Sequence, residues 1–92
     1  MNKTQLSQSL DRMDRLYPHV MEADYREEVR GLGAAFPPLA RTARALKDLL
    51  DAHRGLPHAK LEEGMLDRAR GLHDELRVKA QALLSAAVWP YD

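Results

Sequence analysis

The sequence predicts an all-α fold, an antiparallel bundle of three or four helices with a long C-terminal helix. Apolar residues recur at helical spacing through most of the 92-residue chain. No segment alternates apolar and polar residues as a half-buried strand does. Glycine and proline fall in clusters that divide the chain into segments of helical length. A chain of this size makes one domain, residues 1–92, with a small core.

The first helix is expected from about Thr4, a residue type suited to the N-cap, to Leu16. Leu6, Leu10, Met13 and Tyr17 form its apolar stripe. Pro18 then removes a backbone donor and crowds the preceding turn. It either breaks the chain at Tyr17-Pro18 or kinks one long helix, and the break is favoured because proline suits the first position of a new helix. The second helix is expected from about Pro18 to Arg30, ended by Gly31 and Gly33. Ala34 to Pro38 reads as a linker in which Phe36, preceding proline, is pushed to an extended backbone.

The third helix is expected from about Pro38 to His53. Leu39, Ala43, Leu46, Leu50 and His53 lie on one face, and Gly55 is the stop. The fourth is expected to run unbroken from about His58 to Val88. Leu61, Met65, Ala69, Leu72, Leu76, Ala80, Leu83 and Ala87 make its stripe, about 45 Å long at 1.5 Å per residue. Gly64 and Gly71 lie seven apart on one face, where they let the third helix approach at Ala40 or Ala43. The expected core is Leu46, Leu50, Met65, Leu72 and Leu76. A third helix of this length covers the fourth only to about His73, leaving Leu76 to Val88 to pack on the first two helices or on another molecule.

The chain carries 14 basic and 14 acidic residues and no cysteine. Zero net charge without like-charge blocks argues against a dedicated nucleic-acid binder. The absence of cysteine removes disulfides and thiolate metal sites and fits a cytoplasmic setting. No apolar run approaches a membrane span, and the N-terminal stretch has no signal-peptide core.

Little of the chemistry-bearing inventory converges. His53, His58 and Glu62 lie around one turn, the geometry of a zinc site, but a histidine near a helix C-terminus also serves the helix dipole. No histidine has glutamate three residues before it, so the di-iron bundle pattern is absent. Thr4, Ser7, Ser9, Thr42 and Ser85 sit in no nucleophile elbow. Gly31 and Gly33 lack the remainder of a phosphate loop. Glu27-Glu28 and Glu62-Glu63 diverge by about 100° around a helix and cannot meet on one atom. The segment Ala40 to Asp48 resembles the phosphorylated helix of histidine phosphotransfer domains. That family's histidine position holds Arg44 here and its glycine position Asp48, so the resemblance implies a bundle architecture without the activity.

The expected function is therefore a small non-enzymatic protein-binding module, an adaptor, chaperone or inhibitor occupying a surface of a larger protein. Three alternatives stand beside it: a phage-encoded inhibitor of a host nucleic-acid-processing complex, a structural homodimer completing a shared helical core, and a His-based metal or phosphotransfer-like module. The composition fits a bacterial or phage origin. No cofactor, direct nucleic-acid contact or membrane association is expected. The expected partner-binding residues are Arg41, Arg44, Arg77, Leu84, Val88 and Trp89, since arginine and large aromatic side chains anchor interfaces. Trp89, the sole tryptophan, either caps the bundle or anchors the partner.

Overall fold

The computed structural model describes residues 1–91. They form α1 (Lys3–Leu16), α2 (Ala23–Ala35), α3 (Ala40–Ala52) and α4 (Met65–Leu84), with 3-10 turns at Tyr17–His19, Pro37–Leu39 and His58–Lys60 and no strand among the described residues. Bonds between helices set their directions. Ser9 of α1 donates to Glu28 of α2, while Tyr17 and Tyr25 meet edge to face at the turn joining them. Arg26 pairs with Asp51, and Gly33 lies against Ala43, so α2 and α3 run antiparallel. Lys79 donates to Thr42, and His53 lies near Glu62, so α4 descends along α3. Each helix packs on two neighbours, α1 on α2 and α4, and α3 on α2 and α4. This is an up-down-up-down bundle.

α1 is capped by Asn2 rather than Thr4. The Asn2 side chain accepts from the Gln5 N–H at 2.8 Å, and Gln5 Oε1 accepts from the Asn2 N–H at 2.8 Å. This reciprocal box satisfies donors that Thr4, inside the first turn, cannot reach. Pro18 does break the chain, yet it starts only a 3-10 turn, and α2 begins at Ala23. Gly31 and Gly33 do not end α2; both lie inside it. A glycine costs a helix about 1 kcal/mol, which packing of α2 on α3 offsets. The helix stops instead at Phe36, whose backbone is extended (φ −131°, ψ 106°) ahead of Pro37, as residues before proline favour.

α4 departs most from expectation. It does not begin at His58 or reach Val88. Gly64 adopts the left-handed conformation (φ 76°) and is the residue from which the helix departs, its carbonyl accepting from Arg68 N–H at 2.9 Å. Leu61 is extended. The helix has 20 residues, about 30 Å of rise. The length mismatch shrinks with this correction, to 13 residues in α3 against 20 in α4: the Lys79–Thr42 bond lies at the start of α3, and the Pro37–Leu39 turn also packs on α4. Leu76 and Ala80 are fully buried.

The core joins Leu6, Leu10 and Met13 of α1 with Tyr25, Val29 and Leu32 of α2. Phe36 and Leu39 close one end, and Ala43, Leu46, Leu50, Met65, Ala69, Leu76 and Ala80 complete it. Leu46, Leu50, Met65 and Leu76 lie in it as expected, but Leu72 is only half-buried and His73 is inside. A step of three from Ala69 leads to Leu72 and a step of four to His73. Both satisfy helical spacing, and the burial follows the second. The close glycine approach is also elsewhere: nothing lies within 4 Å of a β-carbon built on Gly71 or Gly64, whereas one on Gly33 would meet Ala43 Cβ at 2.7 Å. No helix among the described residues is long and apolar enough to cross a membrane.

Candidate functional site

The residues expected to bind a partner do not form one patch. Arg41 and Arg44 stand exposed on α3 beside the α2–α3 seam. Arg77 lies on the α1–α4 seam, its Nε 3.1 Å from Asp14 Oδ1. That pairing is oblique, because the Nε atom is buried with no in-line acceptor among the described residues. Leu84 is half-buried against the core. Trp89 is half-buried in an aromatic group at the end of the bundle, 5.7 Å from the Phe36 ring and 5.4 Å from Tyr91, with both pairs edge-on. Val88 is exposed.

Along the α2–α3 seam runs an open groove of about 690 Å³. Gly33 and Ala34 from α2 and Ala40 and Ala43 from α3 line it with small residues, since the helices approach too closely at Gly33 to admit a β-carbon. Arg30, Arg41, Arg44 and Lys47 also line it, against one acid, Asp48. Two of these cations are engaged: Arg30 with Glu27, and Lys47 with Asp51. Arg12, Arg26, Arg68, Arg70 and Arg77 each have a carboxylate as well. Arg41 and Arg44, like Arg15 and Arg54 elsewhere, have no ion pair among the described residues. Arg41 and Arg44 lie three apart on α3 and therefore share one helix face.

A second cluster was not legible as a site. His73 of α4 is buried, and its two ring nitrogens reach different helices. Nδ1 lies 2.6 Å from the Tyr25 hydroxyl of α2, and Nε2 lies 3.1 Å from Asp14 Oδ1 of α1. Since α2 and α4 are not neighbours in the ring of helices, the Tyr25 bond crosses the bundle. The Tyr17 ring lies 4.4 Å from the imidazole, and the Arg70 guanidinium lies over the Tyr17 ring at 5.2 Å. Burial lowers the His73 pKa below 6.5, and the hydrogen bond to Asp14 opposes it only partly. Burial likewise raises the Tyr25 hydroxyl well above its ordinary value. The imidazole is thus held neutral and the phenol protonated. Tyr25 is wholly enclosed, so only the Asp14 end of this network reaches the surface. The signal in the sequence was the placement of His73 four residues after Ala69 and three before Leu76, on the buried stripe.

No group of three histidine or carboxylate side chains is placed to hold a metal among the described residues. His53 instead donates from Nδ1 to the Leu49 carbonyl at 3.0 Å, with Nε2 3.6 Å from Glu62. No family model matches this chain, and no curated protein and no solved structure is significantly similar to it.

Proposed function

We propose that the chain is a non-enzymatic protein-binding module whose α2–α3 groove receives an acidic helix of a larger protein. The reading rests on the Arg41–Arg44 pair, two neighbouring guanidinium groups without an ion pair among the described residues, beside a groove lined by small residues and one acid, Asp48. Arginine forms bidentate bonds to carboxylates. Small groove residues let a second backbone approach and leave room for its apolar side chains. An occupant with glutamates flanking an apolar strip meets both features. The chain is neutral overall, so the attraction comes from this local cluster and not from net charge. Occupying a surface in this way is how an adaptor, chaperone or inhibitor works, including an inhibitor of a nucleic-acid-processing complex.

The test is titration of the isotopically labelled chain with a glutamate-rich amphipathic helical peptide, followed by amide NMR. Shifts centred on Gly33, Ala34, Ala40, Arg41 and Arg44 are expected. They should weaken with added salt, because exposed charges are screened within about 8–10 Å at physiological ionic strength. They should vanish in the Arg41→Glu/Arg44→Glu variant and be absent with a lysine-rich counterpart. Shifts scattered over the surface, or unchanged in the charge-reversed variant, overturn the assignment. Sedimentation of the chain alone tests the homodimer: a dimer dissolved by the same two substitutions places a second copy in the groove and overturns the acidic-helix reading.

A further inference from the structure

We propose that Asp14, His73 and Tyr25 form an acid-sensitive latch that holds the C-terminal end of α1 against α4 and releases it when the imidazole is protonated. The proposal rests on how the hydrogen bonds are allotted. A neutral imidazole has one donor nitrogen and one acceptor nitrogen. The Asp14 carboxylate can only accept, which places the ring proton on Nε2 and lets the enclosed Tyr25 hydroxyl donate to Nδ1. Nδ1 is then the acceptor, and Nε2–H donates to Asp14. In this arrangement every polar atom of the chain from Tyr25 to Asp14 has a partner.

Adding a proton to Nδ1 turns two donors toward each other. Tyr25 must then accept from His73, and its own O–H is left buried without an acceptor, an arrangement that buried polar groups avoid. Asp14 favours the imidazolium, but the nearby Arg77 charge, 3.1 Å from the same carboxylate, disfavours it. The groups that bear on the imidazole are Asp14 of α1, Tyr17 of the first turn, Tyr25 of α2, and Asp74 and Arg77 of α4, with Arg70 behind them over the Tyr17 ring. Their sum, with burial, leaves the charged ring disfavoured. Relief requires water to reach the ring, and the obstacles are Tyr17, tilted against it at 4.4 Å, and Asp14. Both lie at the junction where α1 ends. Asp14 is also the one α1 residue with polar bonds to α4 among the described residues. Opening the latch therefore frees the α1–α4 seam and leaves α2–α3 and α3–α4 closed.

The direction with pH follows from the two protonation equilibria. The unfolded chain takes up a proton at His73 at the ordinary value of 6.5, and the folded chain only at lower pH. Between these values the unfolded or opened form binds more protons. The stabilisation is complete above 6.5 and is lost as the pH falls through the lower folded value.

The experiment combines NMR titration of the His73 ring with amide-exchange protection measured from pH 7.5 down to 5. A folded pKa below the unfolded one, with protection of Met13 to Leu16 falling severalfold more than that of Leu46 to Leu50, is expected. His73→Gln, which can accept from Tyr25 and donate to Asp14 without titrating, should abolish the selective loss. If that variant fails to fold, Tyr25→Phe is the second arm. It removes the proton that conflicts with the imidazolium, so the His73 pKa should rise from its wild-type value. An ordinary or raised His73 pKa in the wild type, uniform loss of protection, or an unmoved His73 pKa in Tyr25→Phe overturns the latch.

Discussion

Gly33 of α2 lies so close to α3 that a β-carbon on it would fall 2.7 Å from Ala43 Cβ and 3.7 Å from Ala40 Cα. The obstructing atom is bonded directly to the α3 backbone and cannot swing away, so Gly33→Ala must part the two helices. Overpacking of this kind costs about 1–3 kcal/mol, offset by about 1 kcal/mol of improved helix propensity. A net loss near 1 kcal/mol is expected, about 4–8 °C in Tm for a domain of this size. Ala43→Gly should cost less in the Gly33→Ala background than alone, and a double-mutant cycle measures that coupling. Additive effects would show that the helices do not meet at this pair.

Gly31 and Gly71 are the complementary case. Both lie inside helices, both have negative φ, and a β-carbon on either meets nothing within 4 Å. Gly31→Ala and Gly71→Ala should each stabilise by about 0.5–1 kcal/mol through helix propensity and reduced freedom of the unfolded chain. Urea unfolding of the double variant tests this; a lower midpoint than wild type contradicts it.

The phase of α4 makes neighbouring leucines unequal. Leu76→Ala removes a fully buried side chain and should cost about 2–5 kcal/mol. Leu72→Ala removes a half-buried one and should cost about half as much. Equal losses in denaturant melts would mean that Leu72, and not His73, occupies the inner face.

Trp89 covers Phe36, which is fully buried, while its own Nε1 is buried with no acceptor among the described residues. Trp89→Ala should therefore destabilise the bundle by about 1–3 kcal/mol through lost apolar burial. Trp89→Phe keeps most of the packing and removes a donor that gains nothing where it is, so its stability should lie within about 1 kcal/mol of wild type. Thermal melts of the two variants separate these effects. An equal loss in both would give the indole nitrogen a partner.

Part of the candidate site was legible in the residues. Arg41 and Arg44 share a helix face by spacing alone, and α3 carries them outward. Their lack of an ion pair was not legible. It turns on rotamers: Asp48 lies four residues after Arg44 as Asp51 does after Lys47, yet among the described residues only the second pair is made. Arg77 reads as a free surface arginine in the sequence. Only the packing of α1 on α4 brings Asp14 to it, and the two residues are far apart along the chain.

What the sequence determined by itself is local. Helical periodicity specified an all-α chain and most of its inner positions. Pro18 interrupted the helix, and Phe36 before Pro37 was extended, because these preferences arise from clashes within adjacent residues. What the tertiary structure decided is where weak local preferences yield. Gly33 stays helical because α3 lies against it, whereas Gly64 takes a left-handed conformation and starts α4. The about 1 kcal/mol that glycine costs a helix is small beside the burial gained by packing. His73 displaced Leu72 from the inner face because Tyr25 and Asp14, on two other helices, supply the hydrogen bonds that a buried imidazole requires.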